Sequence, residues 1–284
     1  TSHFILKISC PATSGIVAAV TTYLAEKGCY ISEMSQFDDD TSGRFFMRAV
    51  FRFNDHYEGD IDEVEQGFDA VARRLDMDWS LHGSNQPMRL LLMVSKFDHC
   101  LTDLLYRHRK GEMDMHITAV VSNHLDLRAM AEREGIRFIY LPITKDSKAS
   151  QEAELMRIVE DTQTDLVVLA RYMQILSPEL CANYPGRIIN IHHSFLPSFV
   201  GAKPYHQAYT RGVKLIGATC HYVTSELDAG PIVEQDVIRI DHSDSPEDMV
   251  RYGKDIEKTV LARGLRYHLE DRVLVHGNKT VVFR

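Results

Sequence analysis

Five short apolar runs, "MRLLLMVS", "HITAVVS", "IRFIYL", "DLVVLA" and "RIINI", recur between Met88 and Ile191, with helical stretches such as Leu125 to Glu134 and Gln151 to Asp161 between them. These runs lack the strict apolar–polar alternation of a strand with one wet face. A strand that is apolar on both sides has to be covered on both sides, and a parallel sheet flanked by helices achieves this. Residues 85–284 are therefore predicted to form a Rossmann-like, mostly parallel α/β domain. Its last long helix is expected to start at Ser245, which can cap. Pro246 suits the first turn, and Glu247 and Asp248 suit the positive end of the helix dipole. "RVLVHG" and "TVVFR" are expected to close the chain as a hairpin around Gly277 and Asn278.

The front of the chain has a different rhythm. "HFILKISC" reads as a strand, and Thr13 to Lys27 as a helix with Ile16, Val17, Val20, Tyr23 and Leu24 along one face. In "RFFMRAVFRF", Phe45, Met47, Ala49, Phe51 and Phe53 face one way and Arg48 and Arg52 the other, which predicts a half-buried strand. A helix from Ile61 to about Leu75 and a short strand near Trp79 to Leu81 complete a βαββαβ order. Residues 1–84 thus read as a ferredoxin-like α+β domain with its helices on one sheet face, and Gly83 to Pro87 as a linker. The 284 residues, 44% of them hydrophobic, suffice for two cores.

Composition removes several functional classes. A net charge of −8 argues against a nucleic-acid partner. No apolar run approaches the roughly 20 residues of a membrane span, so no membrane role is expected. Cys10, Cys29, Cys100, Cys181 and Cys220 show no C-x-x-C spacing and read as free buried thiols of a cytoplasmic protein, with neither a disulfide framework nor a metal site.

Polar residues cluster where the apolar runs end. In "RIINIHHS", alternation sends Ile189 and Ile191 one way and Asn190 and His192 the other, and His193 away from that pair. The crevice of an open α/β sheet lies beyond the carboxyl ends of its strands, so Asn190 and His192 are expected to share it. A second strand, Ile216 to Val223, carries Thr219 and His221 on one face, and Asp228 stands just before Ala229-Gly230-Pro231. An amide, an imidazole and a carboxylate at one cleft suit acyl-type chemistry, with the first two stabilising an oxyanion and the carboxylate moving protons or orienting water. Taken singly, each residue also reads as a hydrogen-bonded strand-end histidine or a turn former. Ser194 and Ser198 lack a nucleophile-elbow context.

"NIHHSFLPSFVGAKPYHQA", followed by "GATCHYVTSELDAGPI", resembles the catalytic core of the formyltetrahydrofolate-using formyltransferase fold. The resemblance, which spans nearly all of 88–284, implies Asn190, His192 and Asp228 as catalytic residues and His221 as a second cleft histidine. "LARYMQILSPEL" is similar to the family's segment beside the pteridine ring, implying Met173, Ile175 and Leu176 as pocket lining. "ISCPATSGIVAAVTTYLAEKGCYISEMSQF" resembles the ACT domain. That likeness implies a regulatory or oligomerisation unit, an amino-acid effector at Pro11 to Ile16 and a homo-oligomer, although Ala12 and Ser14 stand where an acidic residue and proline are usual. The strand-to-helix segment "VSKFDHCLTDLL" has no glycine, unlike the phosphate-holding loop of the glycinamide ribonucleotide branch, and the chain is acidic where the tRNA branch adds a basic domain. An ACT-like domain joined to a formyltransferase-like domain without that loop resembles the deformylase branch. It implies hydrolysis of 10-formyltetrahydrofolate, the substrate, to formate and tetrahydrofolate with no cofactor, feeding purine synthesis and balancing the folate one-carbon pool. The alternatives are formyl transfer to a small amine and a non-catalytic sensor.

Overall fold

The alternating residues at the front of the chain build a four-stranded antiparallel sheet. In this computed structural model, which describes residues 2–194 and 203–284, β1 (Phe4–Pro11), α1 (Ile16–Glu26), β2 (Cys29–Asp39), β3 (Arg44–Phe53), α2 (Ile61–Arg74) and β4 (Asp78–Gly83) follow in turn. The strands lie in the order β2-β3-β1-β4, so the βαββαβ order read from the sequence is the order observed. Gly15 opens α1 with φ 89°, a backbone setting that favours glycine. The Asp60 side chain caps α2 by accepting from the Asp62 amide. Leu6, Ile8, Val20, Leu24, Met47, Phe51 and Phe68 fill the core of this unit.

β3 departs from the half-buried strand expected. Phe46 is fully buried and Arg48 is 3% exposed, so both faces of the strand are covered. The cover comes from the far end of the chain: the first compact unit holds the residues through Pro87 together with Glu270–His276 and Val281–Arg284. Arg48 donates from Nη2 to the Glu270 carbonyl at 2.8 Å and from Nε to the Asp271 carbonyl at 3.2 Å, and its Nη1 pairs with Glu33 at 2.8 Å. His82 Nδ1 lies 2.8 Å from Asp271 Oδ2. A buried guanidinium persists only when its donors are met, and local alternation carries no sign of partners so distant in sequence. A boundary at residue 84 would leave the chain end wholly with the second domain, whereas the two compact units share that end between them.

The second unit, Met88–Leu269 with Gly277–Thr280, carries the apolar runs. Its elements are β5 (Met88–Val94), α3 (His99–Arg109), β6 (Met115–Ser122), α4 (Arg128–Arg133), β7 (Phe138–Tyr140), α5 (Lys148–Asp161), β8 (Leu166–Leu169), α6 (Pro178–Ala182), β9 (Ile188–His192), α7 (Pro204–Arg211), β10 (Leu215–Tyr222), β11 (Ile232–Arg239) and α8 (Pro246–Leu269). The sheet order is β11-β10-β9-β8-β5-β6-β7. β5 to β9 run parallel, whereas β10 and β11 are antiparallel. Leu90 to Val94 are completely buried, as expected of a strand covered on both faces. The chain winds from β5 outward to β7 and then returns to the other side of β5 with β8. The loops after β5 and β8 diverge there and open a crevice. α4 starts at Arg128 and not at Leu125, because the Ser122 hydroxyl accepts from the His124 amide and turns the chain first. α8 begins with a reciprocal box: Ser245 Oγ accepts from the Asp248 amide, and Asp248 Oδ2 from the Ser245 amide. β12 (Val273–His276) and β13 (Lys279–Val282) form the closing hairpin. Among the described residues, no helix is long and apolar enough to cross a membrane. All five cysteines are free and buried.

Candidate active site

β9 and β10 pair so that Asn190 faces His221 and His192 faces Thr219. His221 Nδ1 lies 2.9 Å from the Tyr222 carbonyl oxygen. A carbonyl only accepts, so Nδ1 carries the proton and Nε2 holds a lone pair. That lone pair receives Asn190 Nδ2 at 3.2 Å. The amide is thereby oriented: one N–H is committed to His221, leaving the other N–H and Oδ1. Burial is the main cause that lowers the His221 pKa; its carbonyl bond and Asp228 act in the opposite direction. The ring is neutral at pH 7, as the accepting role requires.

Across the strand end, His192 Nδ1 stands 3.5 Å from Asp228 Oδ1, and the two side chains are only 7% and 10% exposed. Asp228 has φ 54°, a left-handed setting that a short polar side chain tolerates. Two residues on, a Cβ at Gly230 would lie 1.8 Å from the Tyr222 carbonyl oxygen. Glycine is what lets the turn carrying Asp228 close against the end of β10.

These residues border a cleft of about 400 Å³. Asn190, His192, His221 and Asp228 lie on its lining together with Met173, Ile175 and Leu176, so the structure brings together all seven residues singled out in the sequence. Met173 and Ile175 are 46% and 59% exposed, an apolar surface open to a flat ring. Their loop is fixed from behind. Ser95 Oγ accepts from the Met173 amide at 3.0 Å, Gln151 Nε2 donates to the Tyr172 hydroxyl at 3.0 Å, and Glu152 Oε2 accepts from the Ser177 amide at 2.8 Å. Among the described residues, no group of three or more His, Cys, Asp or Glu side chains is placed to hold a metal ion.

Of the lining residues outside that set, two stand next to the polar end or the apolar wall. His193 lines the cleft and does not point away from it, and its ring stacks on His192 with centroids 5.2 Å apart. β9 ends at His192, so alternation no longer governs the next side chain. Arg171 also lines the cleft; its sequence signal is a charge directly after the fully apolar run Leu166 to Ala170. Ser194 is buried. Ser198 and the rest of 195–202 of the motif lie outside the described residues.

His221→Ala is expected to slow turnover about tenfold by releasing the Asn190 amide. A His pKa lowered by folding contributes stability that is present above the unfolded-state value of about 6.5 and is lost as pH falls through the folded-state value. The stability difference between wild type and His221→Ala is therefore expected to shrink on acidification from pH 7. Denaturant unfolding across that range checks it; a difference that stays constant would remove the neutral-ring assignment.

Known proteins resemble the second unit alone in some cases and nearly the full chain in others. A formyl transferase family profile matches residues 88–265. A formyltetrahydrofolate deformylase from Corynebacterium sp. (strain P-1) is 48% identical over 280 residues, covering 99% of this chain and 98% of that protein. The crystal structure of a formyltetrahydrofolate deformylase from Pseudomonas syringae pv. tomato superposes with a TM-score of 0.97 at 56% identity, covering 100% of this chain and 95% of that one. A glycinamide ribonucleotide transformylase 1 from Symbiobacterium toebii matches at a TM-score of 0.65 and 27% identity, over 70% of this chain and 95% of its own.

Proposed function

This chain belongs to the formyltetrahydrofolate deformylase family, and from that premise we propose how its cleft hydrolyses 10-formyltetrahydrofolate to formate and tetrahydrofolate. The observation that carries the reading is one cleft with Asn190, His192 and Asp228 at its polar end and Met173 and Ile175 as an apolar wall. The pterin packs on the wall, which places the formyl group at the polar end. Asp228 takes a proton from water as the water oxygen bonds to the formyl carbon. The second Asn190 N–H and His192 hold the formyl oxygen while it carries negative charge, and donors fixed in advance favour that charged state over the neutral carbonyl. The bond from carbon to the 10-nitrogen then breaks with its electron pair on nitrogen, which takes up a proton, and formate leaves. Formate released in this way is a one-carbon unit for purine synthesis.

Water as acceptor, and not a phosphorylated amine, is supported by the segment after β5. Ser95 to Asp98 contains no glycine, and the next residue, His99, is turned onto the Glu257 carboxylate at 2.9 Å. A nest of backbone amides for phosphate would need small residues there. The test is formate release from 10-formyltetrahydrofolate with and without glycinamide ribonucleotide. Formate is expected in both cases at the same rate, with no formylated amine. Formylated ribonucleotide, or tetrahydrofolate formed without formate when an amine is present, would make this a transferase. In the first unit, the βαββαβ order and the glycine turn into α1 support the ACT reading. The same assay with each amino acid added tests it: one of them is expected to change the rate, and no response to any of them would discard an amino-acid effector.

A further inference from the structure

Glu257 lies on α8 among Ile256, Val260 and Leu261, and is 1% exposed. A leucine would suit that stripe without the desolvation that a carboxylate suffers there. The carboxylate instead accepts three hydrogen bonds: from His99 Nε2 at 2.9 Å and Arg171 Nη1 at 2.7 Å on Oε1, and from the Tyr205 hydroxyl at 2.5 Å on Oε2. Burial alone would raise the Glu257 pKa, but the His99 bond, the Arg171 charge and the Tyr205 bond outweigh it and hold it below the ordinary value. Burial and the carboxylate push the Tyr205 hydroxyl far upward, which keeps it a donor.

The three donors stand in three different segments of the chain, each beyond the end of a parallel strand. His99 follows β5, Arg171 follows β8, and Tyr205 is the second residue of α7, the first helix after β9. Arg171 lines the cleft, and Tyr205 adjoins it through His193. Tyr205 lies 6.3 Å, ring to ring, from His193, whose ring stacks on His192. Arg171, at φ 68° and 4.7 Å over the Phe97 ring, precedes Met173 by two residues and lines the cleft itself. One turn before Glu257, Gly253 makes room for Tyr205, since a Cβ there would fall 2.0 Å from its hydroxyl oxygen.

We propose that Glu257 is a positioning residue for the hydrolysis: a single buried carboxylate fixes the three segments, setting His192 through Tyr205 and His193, and the apolar wall through Arg171. The inference rests on the hydrolytic reading of the cleft and adds a division of labour to it. The Tyr205 arm acts on the chemical step and the Arg171 arm on binding.

The experiment measures kcat and KM for formate release, calorimetric binding of 10-formyltetrahydrofolate and the melting temperature, using the full chain throughout. Tyr205→Phe is expected to lower kcat about tenfold with KM little changed, because a displacement on the order of 1 Å at the reacting end is felt mainly in the rate. Arg171→Met, which keeps the aliphatic reach, is expected to raise KM and the calorimetric Kd about tenfold with kcat within about twofold. Glu257→Gln should show a weaker form of the Tyr205→Phe change, since its amide oxygen still accepts from His99 and Arg171 while its –NH₂ can only donate to the Tyr205 oxygen, a neutral bond in place of a charge-assisted one. If Glu257→Gln fails to fold, the two single-arm variants decide the matter. Wild-type kcat, KM and Kd in both of them, with only the melting temperature lowered, would reduce Glu257 to a structural ion pair and overturn the proposal. If wild type itself releases no formate, the hydrolytic reading falls, and the calorimetric arm still decides whether Arg171 positions the wall.

Discussion

Asp228→Asn is expected to lower turnover about 100-fold or more while leaving KM for 10-formyltetrahydrofolate nearly unchanged. The substitution keeps shape and volume, so the turn before Ala229-Gly230-Pro231 can close as before. An amide at this position can still face His192, whose Nδ1 now stands 3.5 Å from the carboxylate. It cannot take a proton from water. The variant therefore separates proton transfer from architecture, and steady-state kinetics of formate release reads the difference directly. Turnover near the wild-type value would remove Asp228 from the mechanism.

Gly230→Ala is expected to have a comparable effect by a different route. Its Cβ would sit 1.8 Å from the Tyr222 carbonyl oxygen, and the obstacle is backbone, which cannot rotate away. The same oxygen accepts the proton on His221 Nδ1, and the Tyr222 amide bonds the Pro231 carbonyl at 2.9 Å. Relieving the clash moves the support of the Asn190 amide and the turn of Asp228 together. Overpacking of this kind destabilises by about 1–3 kcal/mol, and misplacement of two groups at the reacting centre costs about 100-fold or more in rate. Thermal unfolding and kinetics on one preparation test both halves. A folded variant with normal turnover would show that the turn can close without glycine.

How much of this was legible in the chain varies from element to element. The parallel sheet is written in runs such as Leu90 to Val94, because covering on two faces leaves no polar positions. Alternation placed Asn190 and His192 on one side for as long as the strand lasted, and it misdirected His193 one residue after the strand ended. Asp228 was readable only as part of a motif, since an acid before Ala-Gly-Pro reads equally well as a turn. Glu257 could have been found: a lone charge on the i, i+3, i+4 stripe of Gly253, Ile256, Val260 and Leu261 is a polar residue turned inward, and it invites a search for partners. The burial of Arg48 could not, because its partners come from a segment 222 residues away, and no local period encodes such a contact.

That separation also sets an order of events during synthesis. At about 5–20 residues per second, a ribosome takes roughly ten to forty seconds to travel from Arg48 to Glu270. Throughout that interval the nascent first unit has its strands and both helices but lacks the strip that covers its second sheet face, with the Arg48 guanidinium and the Phe46 ring still waiting for it. Of the two units, the one begun earlier is thus completed later, after α8 has been made. A change in Glu270–His276 would therefore be felt first in the unit that holds Arg48 and Phe46, although more than 200 residues of chain lie between them.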